Sequence, residues 1–165
     1  MARGTVQEFL DADALRPSSE AEGRLVRLGV LAAIVVNQLV EFIYKARCDL
    51  RRPMNEPWGA FRERLAKECC RDLPLLEAVA VAAKHPHLVP RHQIHLSGIE
   101  AVRPGHPQVL GRDGDPVQGR DGDPVRERRL AVVVDTQNGE KELVDIMREC
   151  WPALEKLIAA PRPVP

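Results

Sequence analysis

"LVRLGVLAAIVVNQLVEFIYK", Leu25 to Lys45, decides how the rest of this chain is read. Its apolar residues cover most of a helical circumference, while Glu20, Arg27, Gln38, Glu41 and Lys45 fall on one stripe at helical spacing. That pattern belongs to the central helix of a bundle. The uninterrupted apolar run, Leu28 to Val36, is half of what a bilayer crossing needs, and Asn37, Gln38 and Glu41 follow it. The expectation is a buried helix and no membrane contact.

Shorter helices flank this one. Thr5 to Leu15 suits a helix that stops before Pro17, and Ser18 or Ser19 then offers an N-cap, with Glu22 at capping-box distance from Ser19. After a loop, Asn55 is placed to cap a helix in which Trp58, Phe61, Leu65 and Cys69 recur at three- and four-residue steps, with Arg62, Glu63, Lys67 and Glu68 opposite. Asp72 is placed to cap "LPLLEAVAVAAKH", whose alanines at 78, 80, 82 and 83 allow close approach of a neighbour, and Pro86 ends it. Four helices thus occupy the first half of the chain.

Beyond Pro86 the character changes. Prolines break any helix, Ile99 to Val102 suits a short edge strand, and an eight-residue motif occurs twice in tandem, Gly111–Gln118 and Gly119–Arg126. Two copies are too few for a solenoid and lack the further oxygen ligands of an EF-hand, so a flexible surface loop is expected. Leu130 to Asp135 then reads as a strand, Asn138-Gly139 as a hairpin turn, and the segment through Ile158 as a helix that Pro152 bends or breaks. The fold class that follows is mainly α: about four helices in a bundle, with an appended β-hairpin and a C-terminal helix. It forms one domain, with the bundle over 5–87, the repeat loop over 88–128, and the hairpin and last helix over 129–160.

Composition bounds the partners. With 24 basic and 24 acidic side chains among 165 residues, no overall field draws the chain to nucleic acid or an anionic membrane. The N-terminus has no apolar signal region, and Cys69-Cys70 is not a CxxC pair, so reduced thiols and a cytoplasmic location are expected. Richness in Ala, Arg, Val and Pro suits GC-rich bacterial coding.

Candidate chemistry is sparse. There is no GxSxG, no Walker or dinucleotide loop and no HExxH, and no cofactor is expected. The stretch "VAAKHPHLVPRHQIHL", Val81 to Leu96, carries four histidines, of which His87, His92 and His95 are the one metal arrangement it offers. A more pointed feature is Lys84-His85 at the end of the fourth helix, where the helix dipole favours a cation. Should that helix pack beside the long one, Asn37, Glu41, Lys84 and His85 would form one partly buried polar cluster. Such a cluster is either a specificity device for the bundle or a catalytic site.

The long helix bearing an Asn, the helix "FRERLAKEC" and the Asp-Leu-initiated helix ending "VAAKH" together resemble HEPN-like helical bundles and bacterial proteins built on that plan, over about residues 20–87. The resemblance implies either a metal-independent ribonuclease or a partner of a nucleotidyltransferase in a defence or toxin–antitoxin system. Active members carry an Arg, four to six residues, then a His on the last core helix. Here the window before His85 holds Ala78, Val79 and Ala80, and Arg91–His95 has too short a spacing. The expectation is therefore a non-enzymatic interaction module that self-associates through the alanine-rich face. RNA binding or cleavage is the alternative, and a protein partner is a further one.

Overall fold

A computed structural model describes residues 2–12, 19–48, 56–68, 70–85, 88, 90–93, 95–96, 98–127 and 129–159. Asn55, His87, Cys69 and Ser18, to which the sequence assigned roles, lie outside them. The chain is mainly helical: α1 (Ala2–Ala12), α2 (Ser19–Cys48), α3 (Trp58–Glu68), α4 (Leu73–Ala82), a one-turn α5 (Pro90–Gln93) and α6 (Leu143–Ala159). A 3₁₀ turn (Ile99–Ala101) leads into three antiparallel strands in the order β1 (Val102–Gly105), β2 (Ala131–Thr136), β3 (Gly139–Glu142).

The long helix is central, as its sequence suggests. Its inner face, Leu25, Ala32, Ala33, Val36, Val40 and Ile43, is buried, and it packs against α1, α4, α6 and β1. Gly29 marks the tightest approach: a Cβ there would meet Leu143 Cδ2 at 2.9 Å and Phe9 Cε2 at 3.0 Å. The span Ala21–Ala46 is long and apolar enough to cross a membrane by length and composition, with a third of its most apolar window buried in the protein. Its outer face is not uniformly apolar, because Arg24, Arg27, Gln38, Glu41 and Lys45 are exposed on it.

The alanine-rich α4 corrects the expectation of which face would self-associate. Ala78, Ala80 and Ala82 are buried with Leu75, Leu76 and Val79, so the small side chains serve close packing within the chain and are closed to a second copy. Asp72 does not cap α4 through its side chain. Its carboxylate instead accepts from Lys141 Nζ of β3 at 2.6 and 2.7 Å, while its carbonyl accepts from Leu75 and Leu76 N–H. Either donor would make a charge-assisted bond to this carboxylate, but the ammonium brings a full positive charge where a backbone N–H brings only a partial one.

The hairpin forms with register Thr136↔Gly139, leaving Gln137 and Asn138 as the loop and Gly139 at φ 107°. The expected edge strand at Ile99–Val102 begins only at Val102, and Pro104 is tolerated in it because β1 has one free edge. Residues 131 to 134 are all buried, Val132 and Val134 within the main core. On the sheet's polar side Arg103 donates to Asp135 at 2.9 and 3.0 Å and to Glu140 at 2.6 Å, while Arg129 donates to Glu142. α6 continues through Pro152 without interruption.

Cys70 and Cys150 form a buried disulfide joining the start of α4 to α6, with Cα atoms 4.9 Å apart. This differs from the expected reduced thiols. The partners are 80 residues apart, so local cysteine spacing could not pair them.

The tandem repeat is tied down by its own backbone. Val117 N–H donates to Val109 O, Val125 N–H to Val117 O and Val109 N–H to Val125 O, each at 2.8 Å, closing a ring of three valines. Between them, Gly111 N–H donates to Asp115 O and Gly119 N–H to Asp123 O, with Gly114 and Gly122 at φ 85° and 84° turning each corner. Arg126 fastens the ring to the sheet by donating to Glu140 Oε2 at 3.0 Å.

Candidate functional site

The packing of α2 beside α4 holds, but the polar cluster built on it does not form. Lys84, His85 and Glu41 are exposed and Asn37 is half-buried, with no hydrogen bond or ion pair among the four. The reason lies at the end of α4. After the cap at Ala83, both Lys84 and His85 N–H donate to Val81 O, and the chain turns out of the helix toward solvent. Glu77 and Leu88, on either side of this turn in the sequence, are buried instead.

The polar group inside the molecule is one the sequence reading missed. Glu77 of α4 is 8% exposed and pairs with Arg62 of α3, whose guanidinium lies over the Trp58 ring 5.5 Å from its centroid. His92 of α5, 2% exposed, brings Nε2 to 4.0 Å from Glu77 Oε1. The signal available was the single carboxylate in "LLEAVAVA", which an apolar helix accepts only if a cation meets it. Nearby, Tyr44, Trp58 and Phe61 stack α2 on α3, their centroids 5.0 to 6.0 Å apart. Arg64 lies over Phe61 and pairs with Glu56 and Glu68, which hold its guanidinium charged well beyond its ordinary range.

Of the histidines proposed for metal, His92 is placed beside Glu77, whereas His95 lines a small cleft of about 80 Å³ with Asp72, Leu75, Thr136, Gln137, Asn138 and Lys141. Burial holds the His95 imidazole below its ordinary pKa, with Asp72 pulling the other way. Among the described residues no three His, Cys, Asp or Glu side chains converge as metal ligands. A larger cleft of about 230 Å³ shares the Asp72–Lys141 pair and is walled by Leu110, Val133 and Ile146. Its Glu140 and Glu142 are committed to Arg103, Arg126 and Arg129. Neither cleft is lined by Lys84 or His85.

What α2 leaves uncovered is a face. Phe42 is 67% and Leu31 50% exposed, and with half-buried Ile34 and Val35 they make an apolar patch flanked by Arg27 and Glu41. Neither flanking charge has an ion-pair partner among the described residues. Large apolar side chains grouped on an exposed helix face mark contact surfaces more often than isolated ones do. Comparison with protein-family models, curated proteins and solved structures found no match for this chain.

Proposed function

We propose that this chain is a non-enzymatic helical interaction module, a four-helix bundle of HEPN-like type, whose docking surface is the outer face of α2. One observation carries the reading: Phe42 and Leu31 stand exposed on one side of a helix whose other side forms the core. Supporting it, Lys84 and His85 sit outside both clefts, and the buried polar residues Glu77 and His92 are closed to solvent. Buried as they are, Glu77 and His92 are out of a substrate's reach, because proton transfer requires a group within hydrogen-bond reach of the reacting atom.

A photo-crosslinking residue in place of Phe42, compared with one in place of Ile158, which is 53% exposed on α6, tests the reading in the producing cells. A discrete adduct from position 42, absent from position 158, is expected. Equal, diffuse labelling from both positions removes the proposal.

A second reading is RNA binding, or metal-independent RNA cleavage within a bacterial defence or toxin–antitoxin pair. It is favoured by the joint exposure of Lys84 and His85, a cation beside an imidazole. Labelled RNA incubated in chelator distinguishes it. RNA left equally intact and unbound by wild-type and His85→Ala protein eliminates this alternative.

A further inference from the structure

We infer that Asn138 is a modification site: in the folded protein its carboxamide is lost by attack of the Gly139 amide and then of water, and the product brings a carboxylate to the small cleft of Asp72, His95 and Lys141. The sequence supplies the chemistry. Of the three asparagines, Asn37 precedes Gln38, Asn55 precedes Glu56, and only Asn138 precedes a glycine, whose nitrogen is not screened by a side chain. The turn supplies access. Asn138 and Gly139 are both exposed, and a Cβ built at Gly139 would meet nothing within 4 Å. Asn138 is held through its main chain, its N–H donating to Thr136 Oγ1 at 3.2 Å, while its carboxamide has no hydrogen bond among the described residues. Thr136↔Gly139 is the closing pair of the β2–β3 ladder, so fraying of that end brings the Gly139 nitrogen within reach of the free side chain.

The step balances with water as its one co-reactant. Gly139 N–H gives its proton to hydroxide, the nitrogen bonds to Asn138 Cγ, and the original Cγ–N bond breaks as the departing group takes a proton from water and leaves as ammonia. Water then opens either carbonyl of the cyclic imide. One opening gives aspartate; the other carries the main chain through the side-chain carbon and gives isoaspartate.

Placement gives the change its effect. In the cleft the Asp72 carboxylate and the Lys141 ammonium cancel, at 2.6 and 2.7 Å, and the neutral Asn138 leaves that balance untouched. Either product adds a negative charge, which competes with Asp72 for Lys141 and favours a proton on His95. Isoaspartate also lengthens the main chain of the turn, so the Thr136↔Gly139 register is not kept.

The test incubates the full chain at physiological temperature, at neutral and at mildly alkaline pH, and follows tryptic peptides by mass spectrometry. Peptide 130–141 holds Asn138 as its one asparagine and neither Asp-Gly pair of the repeat, so a gain equal to the exchange of NH2 for OH reports this site alone. Conversion at Asn138 should outpace that at Asn37 and Asn55 by at least about tenfold, faster at the higher pH, with isoaspartate among the products. Equal rates at the three asparagines, or conversion only in urea-unfolded protein, overturn the modification site. Asn138→Asp reproduces the aspartate product at an exposed position. In its NMR titration the His95 imidazole, assigned by its loss in His95→Gln, should titrate at higher pH than in wild-type protein, and an unchanged titration overturns the effect on the cleft.

Discussion

Opening the Cys70–Cys150 disulfide is the perturbation with the largest effect that the fold allows us to work out. The bond closes a segment of 80 residues. In the chain-entropy relation a loop of that size removes about 15 cal/mol/K from the unfolded ensemble, or about 4.5 kcal/mol at 25 °C. Unfolding entropy of about 2.1 cal/mol/K per residue gives roughly 350 cal/mol/K for the chain, so the loss corresponds to a Tm lower by about 13 °C. Both sulfurs are buried, so a reductant reaches them only after unfolding. The assay therefore compares untreated protein with protein reduced in denaturant, alkylated and refolded, and with Cys70→Ala/Cys150→Ala, which avoids bulky adducts. Thiol titration in denaturant runs alongside and should count two fewer thiols in untreated than in reduced protein. Equal thiol counts, or a double variant whose Tm falls by less than about 3 °C, would refute the reasoning.

Three further outcomes are expected. Glu77→Ala strands Arg62 in a largely buried site, and urea unfolding should show a loss of about 3–5 kcal/mol; a loss under about 1 kcal/mol means the pair is not buried. His95, its pKa held down by burial, accepts a proton less readily folded than unfolded. Its contribution to stability is thus complete above the ordinary imidazole value of about 6.5 and declines as pH falls below it. His95→Gln should flatten that part of the urea-midpoint profile, and an unchanged profile contradicts the assignment. In the repeat, the amides of Val109, Val117 and Val125 should exchange at least about tenfold more slowly than those of Asp113 and Asp121 at the exposed corners, and equal rates would mean that the ring does not persist in solution.

The periodicity of Leu25–Lys45 was enough to place α2 at the centre, because a helix apolar over most of its circumference has to be surrounded. The remaining long helices and the hairpin were legible for similar local reasons. Three features were not, and each depends on residues distant in sequence. Asp72 has the chemistry of an N-cap, but Lys141, 69 residues away, takes its carboxylate. Cys70 and Cys150 are brought together only by the packing of α4 and α6. The valine ring needs a third member, and Val109 supplies it from "PQVLG", which carries one residue more than the two near-identical repeats and so hides the resemblance. The candidate site failed for a different reason. Helical spacing carries no information on where a helix ends, and α4 stops at Ala82, before Lys84 and His85.

Everything proposed for α2 requires that it bury one side and leave the other in solvent. Single cysteines along it, in a background with Cys48 and Cys69 replaced by Ser, measure this by their labelling rates in dilute protein. Cysteines at Leu31, Gln38 and Phe42 should react at least about a hundredfold faster than those at Ala33, Val36 and Val40, in step with the helical repeat. Uniform rates along the helix, or protection of Phe42 equal to that of Val36, would contradict it.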